Sequence, residues 1–319
     1  MSNQLEMRAV YTEILLDLGR ADESIVLLEA DLMRATGTKS FKDEFPQRTF
    51  NVGVAEANMV SISAGLSTTG KIPFANTFAC FAARRTYDQF FISANYARLN
   101  VKLVGSDPGV TAALNGGTHM AFEDLGIMRN IPKLVVFEPS DPVSLRKLVK
   151  CSVDHRGCTY MRLHRGLANV LYDESETFEL GKGKLLRSGQ DVALIATGVV
   201  MVNEALKAAE ILAQEGISAA VVDMHTIKPI DRELIIQMAQ TCGAIVTCEN
   251  HQIVNGLGSA VAEVLAEEFP TPMLRVGVKE MFGEVGQVDY LKERFGLTAA
   301  VICAHVEQVL EKKKAVIPA

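Results

Sequence analysis

Short apolar runs rich in Val, Ile and Leu alternate along this chain with longer segments of helical period. Strands of a parallel sheet are buried on both faces and are therefore apolar throughout, so this alternation is typical of β-α-β units. It predicts an α/β fold built from doubly wound, mostly parallel sheets. In the first half of the chain we expect strands at residues 24–29, 71–74, 101–105, 133–137 and 159–163, and helices at 7–18, 56–67, 81–99, 119–129 and 142–154.

The alternation is interrupted once, by the acidic run 173–176 and a stretch rich in Gly, Lys and Ser at 181–189. Such composition favours a linker, and 319 residues allow about two domains. We therefore expect one domain at 1–172, a linker at 173–190 and a smaller domain at 191–319. Strands of the second domain are predicted at 192–197, 218–223, 244–248 and 273–276, and its helices at 202–214, 232–241, 258–267 and 298–312.

Composition and charge exclude several classes of protein. Hydrophobic residues make up 48% and charged residues 22%, which excludes a disordered chain, and the net charge of −6 makes nucleic acid an unexpected partner. Apolar runs reach only about half the ~20 residues of a membrane span, and the N-terminal segment does not read as a signal peptide, so we expect no membrane contact and a cytoplasmic location. The six cysteines include no C-x-x-C pair, which suits neither a disulfide scaffold nor a zinc site.

Polar residues concentrate where predicted strands turn into helices, the place where open α/β sheets bind ligands. Glu56 stands at the start of a predicted helix, and the next two turns of that helix are largely apolar. One interpretation is structural, because a carboxylate in the first turn offsets the positive end of the helix dipole. The alternative is a desolvated carboxylate with a raised pKa that shares a proton with a ligand nitrogen.

Other turns also carry two interpretations. Thr118 is a candidate N-cap, after which His119 is either an ordinary residue of the helix start or a neutral imidazole that donates into a cleft. Phe78 and Phe81 are either core residues or the walls of a site for a planar ring. Arg162 and Arg165 are candidates for an ion pair or for phosphate binding.

In the second domain, the pair Gly256-x-Gly258 is too short for a dinucleotide fingerprint. It indicates a turn, beside which His251 is expected at an interface or a cleft.

Taken together and in order, these turns resemble the C-terminal half of transketolase and of 1-deoxyxylulose-5-phosphate synthase. The resemblance covers nearly the whole chain, and its motifs are specific as a set although each alone is weak. The motifs are NVGVAEAN at 51–58, PFANTF at 73–78, YDQ at 87–89, GGTH at 116–119, IPKLVVFEPSD at 131–141 and IKPID at 227–231.

The resemblance implies the pyrimidine-binding fold of thiamine diphosphate enzymes followed by a transketolase C-terminal-like domain. It further implies that Glu56 hydrogen-bonds the aminopyrimidine ring of the cofactor and that Phe78, Phe81 and Asp31 lie against the cofactor. His119 would contact oxygens of the donor substrate and act in catalysis beside Glu56. Substrate binding would involve three more residues, Arg8, Asn115 and Arg165.

One family motif is missing. The Gly-Asp-Gly that holds Mg²⁺ and the diphosphate occurs nowhere in this sequence, so no metal ligands are expected in this chain. We therefore expect a subunit of a split transketolase, which transfers a two-carbon ketol unit from a ketose phosphate or related sugar to an aldose. Thiamine diphosphate would lie between this chain and a partner that carries the Mg²⁺ site, in a heterotetramer of two plus two.

Three departures concern the substrate. Asn115 stands where transketolases have an Asp, Ala35 stands where a phosphate-contacting Ser is expected, and the loop at Ser106 and Asp107 lacks the expected His. These departures predict an unusual ketose, either branched or with a terminal group other than a plain phosphate.

Three rival functions remain open: the beta subunit of a 2-oxo acid dehydrogenase, the C-terminal part of a deoxyxylulose phosphate synthase, and a non-catalytic assembly or regulatory subunit. A neighbouring gene for a lipoyl acyltransferase would favour the first, and dependence on pyruvate the second. Turnover that is unchanged by Glu56→Gln would favour the third.

Overall fold

The computed structural model describes residues 4–316, which form two large sheets flanked by helices and one small two-stranded sheet. The strands up to residue 172 are β1 (Gln4–Glu6), β2 (Ile25–Glu29), β3 (Thr49–Asn51), β4 (Ile72–Phe78), β5 (Lys102–Ser106), β6 (Val135–Phe137), β7 (Thr159–Leu163) and β8 (Leu167–Asn169). The helices there are α1 (Met7–Ala21), α2 (Met33–Thr36), α3 (Lys39–Glu44), α4 (Glu56–Thr68), α5 (Ala79–Arg84), α6 (Tyr87–Gln89), α7 (Asp124–Arg129) and α8 (Pro142–Asp154). A π-helical segment (Phe90–Tyr96) continues α6, and 3₁₀ turns lie at Pro46–Arg48, Gly109–Asn115 and Gly117–His119.

The remaining residues form a second set of strands and helices. Its strands are β9 (Lys184–Arg187), β10 (Val192–Ala196), β11 (Ala219–Asp223), β12 (Thr226–Lys228), β13 (Ile245–Gln252) and β14 (Met273–Val278). Its helices are α9 (Gly198–Gln214), α10 (Arg232–Cys242), α11 (Leu257–Glu268), α12 (Val288–Phe295) and α13 (Ala299–Val316). Among the residues described, no helix combines the length and the apolarity that a membrane crossing requires.

The first large sheet has seven strands in the order β12-β6-β7-β5-β4-β2-β3, and the second has five in the order β14-β13-β10-β11-β9. All neighbours in both sheets are parallel except two edge strands, β12 on β6 and β9 on β11. The central strands β2, β5 and β7 are buried along their whole length, as the apolar runs predicted. The expected class of two doubly wound, mostly parallel sheets is therefore confirmed.

Helix α8 shows why the predicted boundaries hold where the start signals are strong. Asp141 accepts a hydrogen bond from the backbone N–H of Ser144, the Ser144 side chain closes the capping box, and Pro142 occupies the first turn. These three features fix the start of the helix at the expected residue.

The helix expected at 119–129 begins later than predicted, at Asp124. The hydroxyl of Thr118 contacts Nδ1 of His119 at 2.9 Å instead of capping a helix. Two consecutive glycines here, with Gly116 at φ +79°, permit a tight 3₁₀ turn. Thr118 is therefore not an N-cap, and His119 lies on a turn, not within a helix.

The two halves of the chain are joined more closely than the expected linker suggests. Residues 184–187, inside the segment 173–190, already form β9 and pair with β11. Strand β12, from the second half, pairs with β6 in the first sheet, and the backbone N–H of Glu138 donates to the carbonyl of His225 at 2.8 Å. The halves also share one core, in which Val110 and Phe122 pack with residues of the second sheet.

A buried ion cluster lies at the same boundary. Arg162 is fully buried and donates to both carboxylate oxygens of Asp124, at 2.7 and 2.8 Å, and to Glu138 at 3.1 Å. It also donates to the backbone carbonyl of Asn250, at 3.1 Å, in the second half. The cluster assigns Arg162 to the ion-pair interpretation, and a hydrogen bond from the N–H of Gly126 to His251 places this histidine at the interface.

Candidate functional site

Four neighbouring parallel strands of the first sheet end side by side. Paired positions near these ends are Glu29 with Asn76 on β2 and β4, and Phe78 with Ser106 on β4 and β5. On β7, Leu163 pairs with Ser106. Ligand sites of open α/β sheets lie at such carboxyl ends, and the residues that follow these strands include most of those singled out in the sequence.

Glu56 opens helix α4 with a side chain that is only 4% exposed. The helix buries Met59 and Val60 behind it, and Oε1 of Glu56 accepts a hydrogen bond from Nη1 of Arg85 at 2.7 Å. The carboxylate is thus removed from solvent yet held by one cation that is itself 45% exposed. A carboxylate in this setting keeps an oxygen available to a ligand N–H or ring nitrogen.

Arg85 connects the carboxylate to a group of aromatic rings. Its guanidinium lies over the ring of Phe81, 3.7 Å from the centroid, a stacking geometry that suits a cation on a π-face. The rings of Phe81 and His119 meet edge-on with centroids 5.2 Å apart, and Phe78 lies 5.8 Å from His119 and 6.0 Å from Phe81. The three rings therefore form one cluster at the end of β4.

Beyond Phe78 the site becomes cationic. The guanidinium of Arg165 lies 5.3 Å from the centroid of the Phe78 ring and forms a two-pronged ion pair with Asp107, through Nε to Oδ1 at 2.6 Å and Nη2 to Oδ2 at 2.5 Å. Nη1 of Arg165 and Nη1 of Arg8 both donate to the carbonyl of Ala35, at 3.1 and 3.3 Å. Two guanidinium groups from distant parts of the sequence thus meet on one oxygen atom.

Each guanidinium has its own carboxylate. Burial raises the pKa of Asp107 to about 6, although Arg165 and Arg8 oppose the rise. Arg8 pairs with Glu6, with Nη2 and Oε1 2.5 Å apart. We call Arg8, Arg165, Asp107, Glu6 and the Ala35 carbonyl the anion cradle, because both cations retain N–H groups that these partners do not occupy.

Six of the residues proposed from the sequence are linked by successive contacts: Glu56, Phe81, His119, Phe78, Arg165 and Arg8. Two others make different contacts. Asp31, with φ +63°, exchanges hydrogen bonds with Asn51, and Asn115 is exposed at the end of a 3₁₀ turn. Among the residues described, no side-chain hydrogen bond joins Asp31 or Asn115 to the six.

Two residues of the site were not singled out as ligands from the sequence. Arg85 carries no signal, because only the fold brings it to Glu56 across 29 positions of sequence. Asp107 was noted only for the lack of a neighbouring His.

A third group contacts the end of helix α2, which contains Ala35, and the residues that follow it. Glu29 ends β2 fully buried and accepts hydrogen bonds from Thr38 at 2.5 Å and Thr36 at 2.8 Å, and burial raises its pKa to about 8. As a neutral acid, Glu29 holds Thr36 and Thr38 by hydrogen bonds and adds no negative charge near the two arginines.

The residues present fit the pyrimidine end of thiamine diphosphate. A flat aminopyrimidine needs a carboxylate at a ring nitrogen and an aromatic surface beside the ring, and Glu56 with Phe78 and Phe81 supplies both kinds of group in one contact chain. Within residues 4–316, no three His, Cys, Asp or Glu side chains converge on one point.

Comparison with known families and structures agrees with this arrangement. Residues 3–170 match the family described as the transketolase pyrimidine-binding domain, and residues 181–302 match the transketolase C-terminal domain. A solved structure described as a split-gene transketolase, inactive beta4 tetramer, superposes with a TM-score of 0.89 at 44% identity, over 97% of this chain and 99% of that one. A transketolase from Campylobacter jejuni shares the fold at a TM-score of 0.81 and 21% identity, with 96% of this chain and 47% of that chain covered.

Two curated relatives differ in length. The 6-deoxy-6-sulfo-D-fructose transketolase subunit SqwH of Clostridium sp. (strain MSTE9) is 52% identical over 96% of this chain and 95% of its own length. The 1-deoxy-D-xylulose-5-phosphate synthase 1 of Geobacter sulfurreducens is 36% identical over 97% of this chain, which corresponds to 49% of that enzyme. With both domain families matched in order, this chain belongs to the transketolase family and comprises its pyrimidine-binding and C-terminal domains.

Proposed function

We propose that this chain is one subunit of a split transketolase that transfers a two-carbon ketol unit from a ketose with a terminal sulfonate to an aldose. The observation that carries the proposal is the continuous chain of contacts from the buried Glu56 through the aromatic cluster to the anion cradle. Glu56 and the aromatic cluster suit a heteroaromatic cofactor, and the anion cradle suits the anionic end of a substrate.

The chemistry divides between cofactor and protein. Thiamine diphosphate, when bound, supplies the carbon nucleophile and the electron sink for the two-carbon unit. Glu56 shares a proton with the pyrimidine nitrogen, and its removal from water at 4% exposure keeps that hydrogen bond free of solvent competition. His119, in edge contact with Phe78 and Phe81 and hydrogen-bonded to Thr118, would hydrogen-bond oxygens near the reacting carbonyl.

The anion cradle binds the far end of the donor sugar. Arg8 and Arg165 offer N–H groups to a tetrahedral oxyanion. The hydroxyl donors of a phosphate pocket are missing, since position 35 is an alanine and the Ser106 hydroxyl is fully buried and turned to the carbonyl of Thr77, 3.4 Å away. A relative at 52% identity bears the name of a 6-deoxy-6-sulfo-D-fructose transketolase subunit, which supports a sulfonate as the terminal group.

The proposal requires a second chain. The Gly-Asp-Gly motif for Mg²⁺ and the diphosphate is missing from this sequence, and we assign it to a complementary subunit in a two-plus-two assembly. The solved relative described as an inactive beta4 tetramer supports self-association of such chains without activity. We also propose that the chain has domains at 1–172 and 191–319 and that it is located in the cytoplasm.

The test is a reconstitution. This chain is mixed with the partner, Mg²⁺ and thiamine diphosphate, and transfer from 6-deoxy-6-sulfofructose to an aldose is followed by mass spectrometry. We expect turnover only when both chains are present. Failure to transfer from this donor, in a complex that binds the cofactor, would refute the proposed substrate.

A second candidate is the synthase reaction, because several relatives at 36–37% identity are 1-deoxy-D-xylulose-5-phosphate synthases. The same complex, supplied with pyruvate and glyceraldehyde 3-phosphate, decides between the two. Release of CO₂ with pyruvate would favour the synthase and contradict the transfer of a ketol unit.

A further inference from the structure

We infer that Asp107 makes the anion cradle selective for a singly charged terminal group and against a doubly charged one. The inference rests on the proposed function and adds a specificity-determining residue to it. Sulfonates carry one negative charge at every physiological pH, whereas a phosphate monoester carries about 1.5 to 2 at pH 7. Two donors of nearly the same shape can therefore be told apart by charge alone.

At pH 8, above the pKa of about 6 that Asp107 has, the formal charges of the cradle cancel. Arg8 and Arg165 contribute two positive charges, and Asp107 and Glu6 contribute two negative charges within 2.6 Å of them. A cradle without this compensation would attract a dianion most strongly. With this compensation, a second negative charge on a ligand is repelled by Asp107 and Glu6, and no unpaired cation in the cradle offsets that repulsion.

Asp107 dominates the compensation because of where it lies. Its side chain is 4% exposed, whereas that of Glu6 is 41% exposed, so water screens the charge of Asp107 far less. It also occupies two of the three nitrogens of Arg165, which leaves that guanidinium fewer N–H groups for the ligand. The backbone holds the carboxylate in place, since the N–H of Asp107 donates to the carbonyl of Leu163 at 3.0 Å.

Two neighbouring residues add no positive charge to the cradle. Ala35 presents only its carbonyl, which both guanidinium groups already share. Neighbouring His164 is neutral above pH 5, because burial lowers its pKa to about 4. Arg165 and Arg8 are the cations that lower the pKa of Asp107. The selectivity between a sulfonate and a phosphate therefore depends on the charge of the ligand and the charge of Asp107.

The experiment compares 6-deoxy-6-sulfofructose with fructose 6-phosphate as donors in the reconstituted complex, at pH 5.5 and pH 8. For the wild type we expect the preference for the sulfonate, as a ratio of kcat/KM values, to rise about tenfold between these pH values. Over this range the phosphate ester, with a second pKa near 6, becomes a dianion and Asp107, with a pKa of about 6, gains its charge, while the sulfonate is unchanged. The change should lie in KM and not in kcat, because the terminal group binds remotely from the reacting carbon.

Asp107→Asn removes the buried charge and keeps the shape. We expect it to improve kcat/KM for the phosphate donor relative to the sulfonate by about tenfold at pH 8, and to flatten or invert the pH trend. Glu6→Gln should shift the ratio less because its charge is exposed. Asp43→Asn, at a surface pair with Lys39 that is 60% exposed, makes the same charge change and should leave the ratio unaltered.

The outcomes distinguish a failure of the inference about Asp107 from a failure of the proposed function. If the wild type uses the sulfonate but its preference is independent of pH, or if Asp107→Asn leaves the ratio within about twofold, the inference is overturned and the proposed function stands. If the wild-type complex transfers from neither donor, the proposed function itself is overturned. Should Asp107→Asn fail to fold, Asp107→Ser, which also removes the charge, takes its place in the same comparison.

Discussion

Replacing Arg162 by Met tests whether the buried ion cluster holds the two halves of the chain together. The substitution keeps an unbranched apolar side chain but removes every hydrogen bond that the guanidinium makes to Asp124, Glu138 and the carbonyl of Asn250. Two carboxyl groups that are 0% and 6% exposed would then lie in the interior without a cation.

The magnitude follows from the burial. Removing one partner of a buried ion pair typically costs 3 to 5 kcal/mol, because the other charge stays desolvated. We therefore expect the free energy of unfolding to fall by about 4 kcal/mol at pH 8, a large part of the roughly 5 to 15 kcal/mol that a domain has. The loss should shrink at pH 5.5, because without Arg162 the carboxyl groups bind protons more readily in the folded state than in the unfolded state.

The assay is urea unfolding followed by circular dichroism at a fixed protein concentration, for the wild type and three variants. The triple variant Arg162→Met, Asp124→Asn, Glu138→Gln should regain most of the lost stability, since no charge remains to be buried. Arg20→Met, in an exposed pair with Glu44, should change little. A loss below about 1 kcal/mol at pH 8, with no dependence on pH, would refute the reasoning.

Three further predictions concern single residues. Glu56→Gln should lower kcat of the reconstituted complex by about 10² to 10⁴ while gel filtration shows intact assembly; normal turnover would favour the regulatory interpretation. Burial raises the pKa of Asp223 from 3.8 to about 7, so the folded state keeps a proton that the unfolded state has lost, and stability should fall as pH rises through that window. Asp223→Asn should flatten this fall in thermal melts from pH 4 to 7, and a fall of unchanged slope would contradict the assignment. Burial lowers the pKa of Lys102 from 10.5 to about 7, so stability should rise with pH above 7, and Lys102→Met should abolish the rise; a rise that persists would point to another group.

Most strands of five residues were predictable because each has a continuous apolar signal, but the longest strands, β4 and β13, run four residues past their predicted ends, and the helix predicted at 81–99 is divided into α5, α6 and the π-helical segment. Strand β7 is found at its predicted residues, and β2, β5, β10 and β11 within one residue of them at either end. The missed strands β1, β3, β8 and β12 have three residues each and β9 has four. Segments this short contain too little sequence for alternation to be visible, and only their neighbours in space define them.

The site was predictable to the extent that turns after strands carry it. Glu56, Phe78 and His119 stand in such turns, and the fold links them by contacts. Arg85 could not be found this way. Its role depends on how α5 packs against α4, and such packing produces no recognisable pattern in the local sequence. The same holds for Asp107, whose side chain matters through a contact with Arg165, 58 positions away.

Strand β12 has a consequence for how this chain can be divided. A protein cut anywhere in 173–190 would lose Thr226–Lys228 from the seven-stranded sheet and leave β6, whose three residues are buried, as an uncovered edge. Bare apolar edges recruit other strands and drive aggregation. The second half thus protects the buried edge of the first against misassembly, and we expect a gene encoding only residues up to 172 to yield an aggregating product.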